Sequence, residues 1–121
     1  MKVLIVEDSK ATRELLATMV QTIAGVEVVC AVSGFDALKV LPKHRFSLII
    51  TDINMPDING LELINFVKKN PNYRDVPLFV VTTEGREQDR ARGLALGASE
   101  YVVKPFSAEA VVALVKQYLK L

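Results

Sequence analysis

Apolar and polar positions alternate along this chain in two rhythms. Short apolar runs rich in β-branched residues recur five times, at Lys2–Val6, 26–32, 46–51, 76–82 and Glu100–Val103. Runs of that length bounded by turn formers predict strands buried on both faces. Between them the apolar spacing changes to three and four. Ala11, Leu15, Leu16, Met19, Val20 and Ile23 follow the N-cap candidate Ser9 and end at Gly25, which predicts a first helix. Ser33 and Gly34 lead into Ala37, Leu38 and Leu41, stopped by Pro42. Asn59 and Gly60 lead into Leu63, Ile64 and Val67 before Asn70 and Pro71. A last helix from Ser107 to about Lys120 carries Ala110, Val111, Leu114, Val115 and Tyr118 on one face, with Lys116 and Lys120 near the negative end of its dipole.

The fourth helix, about 86–96, is weaker. Its apolar stripe is only Ala91, Leu94 and Ala95, and Gly93 costs about 1 kcal/mol relative to Ala. It is expected to pack lightly. Strand and helix alternate five times, which predicts an α/β fold: one doubly wound domain over 1–121 with a parallel sheet and helices on both faces.

Composition narrows the partners. The 121 residues are 50% hydrophobic, enough for one ordinary core. Lys and Arg number 15 against 14 Asp and Glu, so no charge excess favours direct nucleic acid binding or an acidic membrane, and a protein partner is expected. The single cysteine, Cys30, excludes an internal disulfide and reads as a small buried apolar side chain in a reducing, cytoplasmic compartment. No apolar stretch approaches the roughly 20 residues of a bilayer span, and Glu7-Asp8 comes too early for a signal peptide, so membrane insertion is not expected.

The strand assignment also gathers the candidate chemistry. Glu7 and Asp8 follow the first strand, Asp52 ends the third, Thr82 and Thr83 end the fourth, and Lys104 follows the fifth. In a parallel sheet those ends share one edge, where open α/β sheets bind ligands. Two carboxylates about 4 Å apart repel by roughly 1 to 4 kcal/mol, so such a cluster attracts a cation. Hard oxygen donors without a nearby His or second Cys indicate Mg²⁺ or Mn²⁺ rather than Zn²⁺; His44, the only histidine, lies at a helix end away from this edge. A carboxylate-held metal with a lysine opposite and a hydroxyl at the rim suits phosphoryl transfer, with Asp52 as nucleophile forming an acyl phosphate.

Four motifs carry a family likeness: Val6-Glu7-Asp8-Ser9, Thr51-Asp52-Ile53-Asn54-Met55-Pro56 with Gly60 following, Val81-Thr82-Thr83-Glu84, and Tyr101-Val102-Val103-Lys104-Pro105-Phe106. In this order and spacing the chain resembles the receiver domain of two-component response regulators, specifically the chemotaxis type, over its whole length. The resemblance implies a flavodoxin-like (βα)5 fold with strand order 2-1-3-4-5. It implies that Asp52 accepts a phosphoryl group from a histidine kinase. Asp8, Asp52 and the backbone carbonyl of Asn54 would hold Mg²⁺, and Glu7 would act through water. Lys104 and Thr82 would bind the phosphoryl group, a cis peptide before Pro105 would aim Lys104, and Thr82 with Tyr101 would form the switch. Asn54 and Glu84 match the pairing of fast-dephosphorylating chemotaxis receivers. The readout surface would be the fourth helix, fifth strand and fifth helix. Thr83 departs from the family's usual Ala or Gly and could narrow access to Asp52 or replace Thr82 as the switch hydroxyl.

These residues leave several readings open. A stand-alone, monomeric phosphorylation switch on a downstream protein target is expected first, catalysing only its own phosphotransfer and dephosphorylation. A receiver module excised from a larger response regulator or hybrid kinase is the alternative. A Mg²⁺-dependent aspartyl-phosphate phosphatase fits less well, because Asn54 stands where that chemistry needs a second, acidic Asp. A flavodoxin-like electron carrier is discounted, because Glu7-Asp8 would repel a cofactor phosphate.

Overall fold

The computed structural model describes all 121 residues. The chain runs β1 (Lys2–Val6), α1 (Lys10–Gln21), β2 (Glu27–Ala31), α2 (Gly34–Val40), β3 (Leu48–Thr51), α3 (Gly60–Lys69), β4 (Leu78–Thr82), α4 (Glu87–Leu96), β5 (Glu100–Val103) and α5 (Ala108–Leu119). All strand pairs are parallel, in the order β2-β1-β3-β4-β5. The flavodoxin-like, doubly wound arrangement expected from the sequence is present.

Alternation within each strand divides the core into two layers. Leu4, Val6, Ile49, Leu78 and Val80 face Ala37, Leu63, Ile64 and Val67 of α2 and α3. Val3, Ile5, Leu48, Ile50, Phe79 and Val81 face Leu16, Met19 and Val20 of α1 and Val111, Val115 and Leu119 of α5. The central strands are therefore buried on both faces, including the closing threonines Thr51 and Thr82, and read as near-continuous apolar runs in the sequence. Side-chain caps begin four of the five helices: Ser9, Ser33, Asn59 and Ser107 each accept a backbone N–H from the first turn.

The structure departs from the sequence reading at identifiable places. β4 starts at Leu78 because Pro77 has no N–H to give, although its carbonyl accepts from Ile49 at 3.0 Å. Pro42 ends α2 by turning the chain into a short 3-10 segment, Leu41–Lys43. Cys30 is exposed, not buried, since β2 is an edge strand of the sheet. Ala11 and Leu15 of α1 and Ala110 of α5 are likewise exposed. The stripe expected to seat α4 is wrong: Ala91, Leu94 and Ala95 are all exposed, and Gly93 is the one buried residue of that helix. A Cβ there would lie 3.3 Å from the Tyr101 ring and 3.9 Å from Leu61. Gly93 thus lets the α4 backbone rest on Tyr101, which offsets its poor helix propensity.

Candidate functional site

The strand order reverses between β1 and β3, whose neighbours continue in opposite directions from there. Their carboxyl ends therefore open a crevice with sheet on both sides. Glu7 and Asp8 leave β1 and Asp52 leaves β3 at this point, with Asp52 N–H bonded to the Val6 carbonyl at 3.2 Å and Glu7 N–H to Ala31 at 3.1 Å. Carboxylate oxygens of Glu7, Asp8 and Asp52 lie within 4.8 Å of one another. Glu7 is 2% exposed and Asp52 7%, whereas Asp8 is exposed.

Lys104 supplies the counter-charge. Its Nζ is 3.2 Å from Asp52 Oδ2 and 3.5 Å from Glu7 Oε1. The Lys104–Pro105 peptide is cis, and Lys104 N–H donates to the Thr82 carbonyl at 2.7 Å. On the other side, Asp52 Oδ1 accepts from Ile53 N–H at 2.6 Å and Asn54 N–H at 3.4 Å. Burial alone would push the Asp52 carboxyl up, but the Thr82 hydroxyl, a hydrogen bond shared with Glu7 and the Lys104 ammonium outweigh it and hold it below the usual carboxylate range. Glu7 goes the other way. Burial first, then the charge and hydrogen bond of Asp52, push it up to about 7 against the pull of Lys104. At neutral pH without a cation Glu7 is about half protonated beside an ionised Asp52, as expected of carboxyls crowded together with a single lysine.

Thr82 is fully buried, and its hydroxyl accepts from Glu84 N–H at 3.3 Å while it also reaches Asp52. Thr83 is exposed, so Thr82 is the hydroxyl that faces the acceptor. Tyr101 is half-buried with its ring on Gly93, and its hydroxyl donates to the Glu84 carbonyl at 2.5 Å. Asn54 donates its side-chain N–H to Glu84 Oε1 at 2.7 Å, tying the loop after β3 to the loop after β4 across the crevice. The structure thus brings together Glu7, Asp8, Asp52, Asn54, Thr82, Glu84, Tyr101 and Lys104.

Every donor in the cluster is a hard oxygen, and the buried acidic pair has only one ammonium beside it. That donor set fits Mg²⁺ or Mn²⁺. The family model for the response regulator receiver domain matches residues 3–116. The chain belongs to the response regulator receiver family. A chemotaxis protein CheY homolog of Campylobacter jejuni is 36% identical over 110 residues, covering 90% of this receiver and 85% of that protein. The solved structure of the chemotaxis response regulator CheY4 of Vibrio cholerae superimposes with a TM-score of 0.88 at 36% identity, covering 97% of each chain. A probable transcriptional regulator, ycf27 of Pyropia yezoensis, is 38% identical over 98% of this receiver, which spans only 47% of that relative. No helix is long and apolar enough to cross a membrane.

Two supports of the receiver site were not singled out in the sequence. Arg13 of α1 donates to the carbonyls of Glu7 at 3.0 Å and Asp8 at 3.4 Å, fixing the turn that carries both carboxylates. Its place one turn into a helix behind an acidic pair was the available signal. Asp57 accepts backbone N–H groups from Gly34, Phe35 and Ile58. An Asp before a helix cap is so often a local turn former that its distant partners on α2 left no mark in the sequence.

Proposed function

We propose that this receiver is a phosphorylation-dependent signalling switch in which Asp52 accepts a phosphoryl group from a histidine kinase. The observation that carries the reading is a buried carboxylate held ionised beside a lysine and two further carboxylates at the switch point of the sheet. Receiver domains take phosphoryl groups from histidine kinases and act on downstream targets. A carboxylate oxygen of Asp52 attacks phosphorus, the P–N bond to the kinase imidazole breaks as the P–O bond forms, and the leaving nitrogen takes up a proton.

Asp8, Asp52 and the Asn54 carbonyl would hold Mg²⁺, with Glu7 acting through water; the ion would neutralise the charge on the transferring oxygens. Lys104 and the Thr82 hydroxyl stabilise the phosphoryl group from the opposite side. Added charge of about 1.5 to 2 units draws Thr82 toward it, and Tyr101 follows the β4–α4 loop through its bond to the Glu84 carbonyl. The altered face is α4, β5 and α5, where a downstream protein binds. Asn54 and Glu84 hold the hydrolytic water that ends the signal. The chain acts on no outside substrate, and its likeness to chemotaxis proteins points to motility control. A second reading, a receiver module within a longer regulator, is favoured by the relative of which this chain spans about half.

Acetyl phosphate with Mg²⁺, read by intact mass, tests the assignment. Wild type gains one phosphoryl group and Asp52→Asn none; phosphorylation that persists in Asp52→Asn overturns it.

A further inference from the structure

The loop from Ile53 to Asn59 presents the Asn54 carbonyl, and it is fastened at two points. Its base closes through Gly60 N–H to the Ile53 carbonyl at 2.8 Å, and a Cβ on Gly60 would collide with the Asp52 carbonyl oxygen. Its far end is fastened to another element. Asp57 Oδ1 accepts from Gly34 N–H at 3.1 Å and Ile58 N–H at 2.7 Å, and Oδ2 from Phe35 N–H at 2.9 Å. Gly34 and Phe35 are the first residues of α2, whose N–H groups have no partner within their own helix. The approach is close as well as polar, since a Cβ on Gly34 would come within 2.6 Å of Ile58 Cβ.

We infer that Asp57 is a positioning residue for the cation: by clasping the β3–α3 loop to the start of α2 it presets the Asn54 carbonyl as a ligand. This rests on the metal reading given under the proposed function. Asp57 is solvent-exposed, so its hydrogen bonds compete with water and add little to global stability. What they restrict is the loop. Asn54 lies between the two fastenings, and its side chain is tied only to Glu84, so a released loop end would let its carbonyl turn. The cost of ordering that carbonyl then falls on metal binding.

Calorimetric Mg²⁺ titration of Asp57→Ala, Asp57→Asn and Asp36→Ala tests the inference. Asp36 serves as control because it caps the same helix end through Val32 N–H at 2.9 Å without touching the loop. Asp57→Ala is expected to weaken the Mg²⁺ Kd about tenfold, the lower end of the range for outer partners of metal ligands. Asp57→Asn, whose amide oxygen still accepts one N–H, weakens it less, and Asp36→Ala leaves it unchanged. Wild-type affinity in folded Asp57→Ala, or equal weakening in Asp36→Ala, overturns the role of Asp57. If the alanine variant does not fold, Asp57→Asn decides, with unchanged affinity overturning the role. A wild type that binds no Mg²⁺ overturns the metal reading itself, and this inference with it.

Discussion

α1 and α4 both begin at the acidic edge, yet they are attached to the sheet by different means. α1 buries Leu16, Met19 and Val20, is capped by Ser9 and grips the Glu7–Asp8 turn through Arg13. α4 buries only Gly93, has no side-chain cap at Arg86 and leaves Ala91, Leu94 and Ala95 in solvent. Full burial of a large aliphatic side chain is worth about 1.5 to 3 kcal/mol, so α1 is anchored by several times what holds α4. The half that carries the first carboxylates is rigid by packing. The other half, joined through Tyr101 and the β4–α4 loop, can be repositioned by a few charge-assisted hydrogen bonds.

The largest expected effect breaks the anchored side. Leu16→Ala should destabilise by about 2 to 5 kcal/mol in urea unfolding, while Leu94→Ala changes stability by about 0.5 kcal/mol or less. Equal losses would erase the contrast. Next comes the acidic pair. Glu7 has its folded pKa raised from 4.5 to about 7, so without a cation it adds stability at low pH that disappears as pH rises from about 4.5 through about 7. The loss approaches roughly 3 kcal/mol, and Glu7→Gln should flatten it in metal-free melts. Asp52 acts oppositely: its depressed pKa gives stability that is lost only as pH falls below the ordinary carboxylate range.

Smaller effects sharpen the α4 side. Gly97, at φ +116 with Lys68 Cγ 2.8 Å from any added Cβ, should lose about 1 to 2 kcal/mol on substitution by Ala. Gly93→Ala should leave stability nearly unchanged. Its helix-propensity gain of about 1 kcal/mol is offset by the 3.3 Å contact with Tyr101, and the displaced ring should appear as a changed Tyr101 aromatic resonance. A full stabilising gain without ring movement would show that α4 does not rest on Tyr101.

These two regions were not equally legible in the sequence. Central strands such as Leu48–Thr51 could be read as unbroken apolar runs, and the capped helices by apolar residues three and four apart behind a Ser or Asn. The Asp8, Asp52, Thr82 and Lys104 cluster followed once those strands shared an edge. The presence and light packing of α4 were legible, but its seat was not, because a helix resting through a glycine on a distant tyrosine leaves no apolar stripe. Cys30 was misplaced because apolar runs do not reveal which strand is an edge. Asp57 left no mark because the backbone groups it bonds lie on α2, more than twenty residues away, whereas the signal for Arg13 was only its place one turn behind the acidic pair.

Amide spectra of the chain with Mg²⁺, before and after adding beryllofluoride as a phosphoryl mimic, test the account most directly. Resonances of Thr82, Glu84, Tyr101 and Glu87–Leu96 should shift while those of Leu16, Met19 and Val20 stay in place, and Asp52→Asn should abolish the change. An unchanged α4, or shifts as large in the core of α1, would contradict it.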